Sequence, residues 1–401
     1  MQCHVHQVQK QMSNPTSNPI GRLANRLQDY RECAALARRQ TGKNQLLQLR
    51  EILALNGTGG QCGISDYYDC GLYDDSYLKG RGRQDFLGWR LHTKFSLALN
   101  PRYAVLPACD KTVFTQMADS AGLPVAPIRA CFHRAAHVSP SLGMHLRSIE
   151  EVKHFLRDPS IYPLFGKPAY SQQGYGSAYL ASYDPATDAM HTLNGESISI
   201  DNFVKRMDHS VDERFHKPEC GFLFQDSLKP ASEILAFTNW PAICGVRVVC
   251  LNGPEGIQPI QALWKIATPP NHVDNFHSGE NGNFLADVDL ATGEVCRMVG
   301  RGWPRVSPFQ AHPDTGHAIN GFRLPGWSQV LDTCRRAGPV FPLMKIHHWD
   351  FALTDQGPKI LELNDIGGIA QLHGRGLLTV ETREFLKRHA NVQTHPWVKL
   401  L

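Results

Sequence analysis

The stretch HHWDFALTDQGPKILELNDIGGIAQ, residues 347–371, contains two apolar runs separated by a cluster of turn-forming residues. The turn formers are Thr354 to Pro358, and short apolar runs on either side of such a cluster predict a β-hairpin. Because side chains alternate between the two faces of a strand, the hairpin is expected to have one apolar face and one polar face.

The predicted apolar face holds Phe351, Leu353, Leu361 and Leu363. The opposite face holds Asp350, Glu362 and Asn364, and a turn centred on Gln356 puts Asp350 directly across from Glu362. Facing carboxylates destabilise a sheet unless a cation holds them, and ligands that are all oxygen suit a hard ion such as Mg²⁺. Taken alone, the hairpin predicts either a magnesium site or a solvent-facing hairpin with scattered polar residues.

Length and composition describe an ordinary globular protein. The 401 residues are enough for two or three lobes, and 42% are hydrophobic and 9% aromatic. A net charge of only +4 without a dense Lys/Arg run predicts no nucleic-acid partner. The eleven cysteines form no CxxC pairs, which favours reduced thiols over disulfides or a zinc site. No apolar leader or membrane-length run is present, so we expect a cytoplasmic protein without membrane contact.

Two lysines stand where an anion could bind. A predicted helix from Asp110 to Gly122 carries Lys111 in its first turn, where a cation is unfavourable to the helix dipole. Lys167 ends a short strand just before the glycine-rich segment Ser171 to Ser177, and a second strand follows. Such a loop and its lysine can cover phosphates, although a solvated lysine and an ordinary hairpin loop have the same pattern.

Arg247 lies in an apolar strand, Gly245 to Leu251, and points away from the face that Val246 and Val248 share. A buried guanidinium without an anion is costly, so this residue requires a partner. Two partners fit: a phosphoryl or carboxylate group of a ligand, or a nearby Asp or Glu in a structural ion pair.

In chain order, these features resemble the ATP-grasp superfamily. They are a lysine at a helix start, a lysine before a glycine-rich hairpin, a strand ending at Gln225-Asp226, an arginine in a strand, and the Asp…Glu-x-Asn hairpin. The resemblance covers residues 110–371. The phrases NFHSG (275–279), HPDTG (312–316) and WDFA (349–352) look most like the sugar-transfer-associated branch of the superfamily.

The resemblance implies an α+β fold in which two lobes clasp ATP between antiparallel sheets. The expected lobes are residues 106–226, with the glycine-rich lid hairpin, and residues 227–401, with the metal site. Residues 1–105 are expected to form a mainly helical region, with residues 1–19 disordered because Gln, Asn, Ser and Pro are frequent there. This helical region is a departure, since family members often begin with a Rossmann-like domain.

The resemblance also assigns roles to individual residues. Contacts to the ATP phosphates would come from Lys111, Lys167, Gly174, Gly176 and Ser177. A hinge that reads adenine and ribose would comprise Gln225, Asp226, Leu228 and Glu233, with Asp226 where a longer Glu is commoner. Mg²⁺ would be held by Asp350, Glu362 and Asn364. The transferred phosphoryl group or acyl phosphate would be bound by Arg247, assisted by Lys265 and Asn275.

The activity implied is an ATP-dependent ligase that joins a small-molecule carboxylate to an amine through an acyl phosphate, with ATP and Mg²⁺ as cofactors. The products would be an amide, ADP and phosphate. A small-molecule kinase of the same superfamily and a non-catalytic ATP-binding protein are the alternatives. The identities of the carboxylate and the amine, and a possible homodimer, stay open.

Overall fold

The computed structural model describes residues 19–79, 82–172, 174–209, 216–301, 306–368, 370–371 and 374–401. Of the segment expected to be disordered, residues 1–18 lie outside the described residues. The helices are α1 (Pro19–Thr41), α2 (Gln45–Asn56), α3 (Ile64–Asp69), α4 (Asp75–Leu78), α5 (Trp89–Leu99), α6 (Leu106–Cys109), α7 (Lys111–Ser120), α8 (Ile149–Leu156), α9 (Ile200–Met207), α10 (Ser232–Thr238), α11 (Trp327–Ala337) and α12 (Val380–His389).

In the described residues, the strands form two sheets of seven strands each, and we call the one whose strands contain fewer residues the smaller sheet and the other the larger sheet. The smaller sheet contains β1 (Ile128–Phe132), β2 (Met144–Leu146), β3 (Leu164–Pro168), β4 (Ala178–Asp184), β5 (Ala189–Thr192), β6 (Ser197–Ser199) and β7 (Phe222–Asp226). The larger sheet contains β8 (Val246–Gly253), β9 (Gly256–Ile266), β10 (Phe284–Val288), β11 (Val295–Arg301), β12 (Val306–Phe309), β13 (Ile346–Thr354) and β14 (Gly357–Asn364). We keep 106–226 and 227–401 as the proposed lobes, with one sheet inside each.

The smaller sheet has the strand order β2-β1-β7-β3-β4-β5-β6 and is antiparallel except for the β1–β2 pair. Its core face packs on α8 and α9 through residues such as Phe155 and Phe203. Alternation along β3 puts Leu164 in this core and turns Phe165 and Lys167 to the opposite side. The second face of the sheet is therefore left to form a cavity wall.

The larger sheet is antiparallel throughout, in the order β12-β11-β10-β9-β8-β13-β14. One face, with Val246, Val248 and Trp264, lies in a core shared with α7, α10 and α11. The other face carries Val249 and Leu251, which pack on α5 and α12. The predicted helical N-terminal region is confirmed, and its helix α5 covers part of this second face.

The hairpin of β13 and β14 has the predicted pairing of Asp350 with Glu362, but not for the predicted reason. The chain turns at Thr354↔Gly357, so the turn is centred between Asp355 and Gln356 and not on Gln356. A β-bulge opposite the Asp350–Phe351 step adds one residue to β14 and restores the expected pair.

Because of the bulge, the predicted division of β14 side chains between the two faces is wrong. Ile360 and Leu363 lie in the core, whereas Leu361 lines the cavity together with Glu362 and Asn364. Leu361 and Leu363 therefore do not share a face, because the extra residue interrupts the simple alternation.

Among the described residues, no helix has the length and apolar character needed to cross a bilayer.

Candidate functional site

A cavity of about 360 Å³ lies between the two sheets. The smaller sheet contributes Phe165, Lys167 and Gln225, and the larger sheet contributes charged residues of β8, β9, β13 and β14. Its volume is that of a small-molecule binding site, and its walls combine apolar and charged side chains as such sites do.

Lys111 and Lys167 enter the cavity from different elements. Asp110 caps α7 by accepting hydrogen bonds from Thr112 and Val113, which places Lys111 at the helix start. The Nζ atom of Lys111 donates to the Ser171 carbonyl at 2.8 Å and lies 3.6 Å from a Glu362 carboxylate oxygen.

Lys167 reaches across the cavity from the smaller sheet, where its Nζ donates to the Leu361 carbonyl of the larger sheet at 3.3 Å. Burial, together with the neighbouring charge of Lys111, lowers the pKa of Lys167 to about 8, while Glu362 opposes the shift. Two lysines that repel each other in a buried position form a site prepared for a polyanion.

Arg247 and Asp350 face each other on neighbouring strands and form a two-bond ion pair. Nε and Nη2 of Arg247 donate to the two carboxylate oxygens at 2.8 and 2.5 Å. The side chains are 16% and 2% exposed, and both line the cavity. Both predicted kinds of partner thus remain relevant: Arg247 has a structural anion and also faces the space for a ligand.

The ion pair continues into a charged row. Lys265 lies 3.3 Å from Asp350 and 3.2 Å from Asp274, which also accepts a hydrogen bond from the Gly245 N–H. Burial alone would raise the pKa of Asp350, but the charges of Arg247 and Lys265 outweigh it and hold that pKa well below its usual range. Burial raises the pKa of Asp274, and repulsion from Asp350 adds to the rise against the opposing charge of Lys265.

The three predicted metal ligands share the cavity face of the hairpin. Asn364 donates through Nδ2 to Asp350 Oδ2 at 3.3 Å. The described contacts place three donors on Asp350 Oδ2 and one on Oδ1, so Oδ1 keeps acceptor capacity. The side chain of Glu362 is 31% exposed, and among the described ion pairs its one cationic partner is Lys111, at 3.6 Å.

The donor set therefore fits a hard cation: carboxylate oxygens from Glu362 and Asp350 and an amide oxygen from Asn364. Across the described residues, no three His, Cys, Asp or Glu side chains are grouped as a metal site.

The predicted hinge is only partly at the cavity. Gln225 and Leu228 line it, and so does Ser227, which directly precedes Leu228. The side chain of Asp226 does not, because strand alternation turns it outward into an ion pair with Arg129. In this structure the side chain of Asp226 points away from the space where the resemblance placed adenine.

Glu233 is also outside the cavity lining. It lies in the first turn of α10, whose start is fixed at the tip of the β13–β14 hairpin by hydrogen bonds from Ser232 to Asp355. The assignment of Glu233 to the ribose is not supported by this position, because the hairpin tip is the end opposite to Asn364.

In the glycine-rich loop, Gly174 and Ser177 line the cavity and Gly176 does not. Gly176 has a φ of 73°, and a Cβ there would lie 2.9 Å from Pro168, so it serves the turn of the loop. Asn275 and Lys265, the predicted helpers of Arg247, both line the cavity.

Several lining residues were not singled out as site residues from the sequence: Thr93, Cys109, Tyr170, His272, Asp274 and Asp365. Thr93 and Cys109 belong to short helical segments with no motif, and only the packing of those segments brings them to the cavity. Asp274 and Asp365 directly adjoin the predicted residues Asn275 and Asn364, and that adjacency was the available signal.

His347 and His348 precede Asp350 on β13, and neither lines the cavity. Both are fully buried, and burial lowers their pKa values to about 4 and about 3. His347 hydrogen bonds to the Met344 carbonyl, and His348 to Ser96 Oγ of α5. They are packed, neutral histidines.

Comparisons with known proteins give one family and several distant structures. A model of the family described as sugar-transfer associated ATP-grasp matches residues 90–384, more than half of the chain. A search of curated proteins finds no similar sequence.

Among solved structures, the VanG D-Ala:D-Ser ligase from Enterococcus faecalis has a TM-score of 0.39 and 11% identity, over 71% of this chain and 61% of that chain. The biotin carboxylase–β,γ-ATP complex from Campylobacter jejuni has a TM-score of 0.42 and 10% identity, over 71% of this chain and 46% of that chain. D-alanyl-alanine synthetase A from Vibrio cholerae has a TM-score of 0.37 and 11% identity, over 74% and 66%. This chain therefore spans less than two thirds of the length of each of these proteins.

Three observations indicate the same family. They are the two antiparallel-rich sheets, the lysines, arginine and acidic hairpin around one cavity, and the match of the family model over residues 90–384. The chain belongs to the sugar-transfer associated ATP-grasp family.

Proposed function

We propose that the protein is an ATP-dependent ligase that joins a small-molecule carboxylate to an amine. The observation that carries this proposal is the convergence of four cations, Lys111, Lys167, Arg247 and Lys265, on one cavity that also holds Glu362 and Asn364. Such a set matches a nucleoside triphosphate with its metal ion, and Arg247 is then available to bind the transferred phosphoryl group.

Each cation has a distinct part in this proposal. Lys111 and Lys167 bind phosphate oxygens, whose negative charge offsets the burial and the repulsion from Lys111 that lower the pKa of Lys167. Phe165, Gln225 and Leu228 receive the base at the smaller sheet. Glu362, Asn364 and Asp350 would hold Mg²⁺, which would neutralise charge on the phosphates when bound.

Bond changes in the proposed reaction are balanced. A carboxylate oxygen of the substrate attacks the γ-phosphorus, the bond to the β,γ-bridging oxygen breaks, and ADP leaves. The fork of Arg247 and the charge of Lys265 stabilise negative charge on the transferred phosphoryl group. An amine nitrogen then attacks the acyl carbon, the bond from that carbon to the phosphate oxygen breaks, and the proton lost by the amine passes to the leaving phosphate, so that an amide and inorganic phosphate result.

The test is an assay of ADP and phosphate release with a panel of carboxylates and amines, followed by mass detection of the joined product. A ligase releases both ADP and phosphate and adds the two substrates minus water. Release of ADP without phosphate, with a product heavier by one phosphoryl group, would show a kinase. Nucleotide binding with no turnover on any pair would favour a non-catalytic binding protein.

A further inference from the structure

One buried side chain, that of Asn283, fixes the shape of the loop 271–275, which follows β9. Its amide is fully buried, at 0% exposure. Its Oδ1 accepts from the Thr268 N–H and Asn271 Nδ2 at 2.9 to 3.0 Å and from the Thr268 hydroxyl at 3.4 Å, and its Nδ2 donates to the Val273 and Asn275 carbonyls at 2.9 to 3.0 Å. Because an amide offers two donors and an acceptor oxygen, this set uses its capacity, and the loop is held in place without help from a ligand.

The loop 271–275 lies directly against the glycine-rich loop of the other lobe. Nε2 of His272 is 3.2 Å from the Ser177 carbonyl oxygen. A carbonyl only accepts, so Nε2 carries the hydrogen and donates; burial lowers the pKa of His272, which agrees with a neutral ring.

The approach of the two loops also explains one glycine. A Cβ at Gly174 would lie 3.2 Å from Asn275 Nδ2 and 3.2 Å from Val273 Cγ1, and its φ of 71° already disfavours other residues. The surfaces are therefore fitted to each other at two points, one polar at Ser177 and one steric at Gly174.

The glycine-rich loop is held at both of its ends. Lys111 Nζ donates to the Ser171 carbonyl at its start, and His272 Nε2 contacts the Ser177 carbonyl at its end. Lys111 is assigned to the phosphates by the proposed function, whereas His272 has no assigned role although it lines the same cavity.

We propose that His272 is a positioning residue that fixes the glycine-rich loop over the bound phosphates, by donating a hydrogen bond from the larger-sheet lobe to the Ser177 carbonyl. The inference rests on the proposed function, since it requires nucleotide in the cavity. It adds a contact between the two lobes at the edge of the cavity. The loop 271–275, which carries His272, is held in its conformation by Asn283.

The experiment compares the unaltered full-length protein with His272→Ala and His272→Gln. The probes are Mg·ADP and a non-hydrolysable Mg·ATP analogue, with affinity measured by calorimetry and amide hydrogen exchange followed at residues 171–177. His145→Ala is the matched control, because His145 Nε2 also contacts a backbone carbonyl, that of His133 at 2.8 Å, away from the cavity.

We expect His272→Ala to weaken nucleotide binding about tenfold, the size of one well-placed hydrogen bond, and to leave the loop exchanging rapidly when nucleotide is bound. His272→Gln should recover most of both effects because its amide can donate at the position of Nε2. His145→Ala should behave as the unaltered protein.

Equal affinity and equal loop protection in His272→Ala and the unaltered protein would overturn this inference alone. If the unaltered protein binds neither nucleotide, the proposed function fails and the inference fails with it. Gly174→Val provides a second route that leaves His272 in place. A valine there crowds Asn275 and Val273 at a φ that disfavours it, so it should disturb the contact between the loops and reduce loop protection, and normal protection in that variant would also contradict the proposal.

Discussion

Arg247 has one of its two expected partners, a carboxylate of the protein, and it faces the cavity in which the other, a ligand anion, would lie. Its guanidinium forms a two-bond ion pair with Asp350 on the neighbouring strand, and both side chains line the cavity. Asp350 therefore offsets the cost of burying Arg247 in the absence of ligand. A residue held in this way is already oriented toward the place where the transferred group would lie, which is the condition for electrostatic stabilisation of a transition state.

Replacing Arg247 by Ala should lower turnover by roughly 10² to 10³, the usual cost of removing one preorganised donor. Nucleotide affinity should be largely retained, because Lys111, Lys167 and Gln225 are unchanged. Arg247→Lys should recover little, since an ammonium group cannot span two oxygens. Steady-state kinetics and calorimetry measure the two quantities separately.

The control for that change is Arg157→Ala, because Arg157 forms a similar two-bond pair with Asp188 at an exposed position of the smaller lobe. That variant should keep both turnover and nucleotide affinity. Arg247 would be a nucleotide-binding or purely structural residue if its Ala variant lost binding and turnover in equal measure.

Lys167 predicts a pH dependence of nucleotide binding. Its pKa is lowered to about 8, and phosphates bind the charged form better than the neutral form. Affinity should therefore be highest below pH 8 and fall as the pH rises through about 8, when the free protein loses this proton. Titrations of Mg·ADP from pH 7 to pH 9.5 measure the fall, and Lys167→Gln should bind more weakly and without this dependence. A constant affinity over that range in the unaltered protein would contradict the assignment.

At the scale of elements, α5 connects the helical N-terminal region to the hairpin that carries the acidic residues. Asn100, which follows α5, bonds to Ile346, and Ser96 bonds to His348. The four-residue step from Asn100 to Ser96 covers about 6 Å of helix, and the two-residue step from Ile346 to His348 covers about 6.6 Å of strand, so contacts between α5 and β13 can repeat at this spacing. One further turn along α5 brings Thr93 to the level of Asp350, and Thr93 indeed lines the cavity.

Asn100 should therefore be important for stability. Its amide accepts from the N–H groups of Lys345 and Ile346 and donates to the carbonyls of Ile346 and Asp365, while only 3% exposed. Asn100→Ala leaves several of these buried groups unpaired and should lower the free energy of unfolding by about 3 kcal/mol.

Urea unfolding followed by circular dichroism measures this loss. Asn391→Ala is the control, since Asn391 Oδ1 also accepts two backbone hydrogen bonds but lies in an exposed turn, where water replaces the lost contact. Equal losses in the two variants would show that the link between α5 and β13 has no special contribution.

At the scale of the whole molecule, the candidate site belongs to neither sheet alone. Lys167 and Gln225 come from the smaller sheet, whereas Arg247, Asp350 and Glu362 come from the larger one. The described contact of Lys167 Nζ with the Leu361 carbonyl already spans the gap. A ligand that occupies the cavity would touch both lobes and hold them together.

Mg·ADP should therefore stabilise the protein against heat, by about 2.7 kcal/mol at a hundred times its dissociation constant. Thermal unfolding with increasing nucleotide measures the effect. Adding a chelator should remove the part that depends on the metal, and Glu362→Gln should lack that part from the outset. An unchanged unfolding temperature with Mg·ADP in the unaltered protein would argue against a nucleotide site between the lobes.

The amino-acid sequence by itself determined the local features of the site. Three short-range patterns were sufficient. The cap by Asp110 predicted where the helix of Lys111 begins, and the turn formers after β13 predicted the acidic hairpin. The alternation in β8 predicted the side of the sheet to which Arg247 points. These features depend on backbone geometry and on neighbours within a few residues, which a sequence shows directly.

Only the tertiary structure decided where distant segments meet. The bulge that turns Leu361 to the cavity and the contact between His272 and Ser177 both depend on partners from other strands or loops. The same holds for Thr93, which reaches the cavity because α5 packs on β13. Such contacts join residues far apart in the chain, and their energies depend on packing and charge in three dimensions, which no local pattern contains.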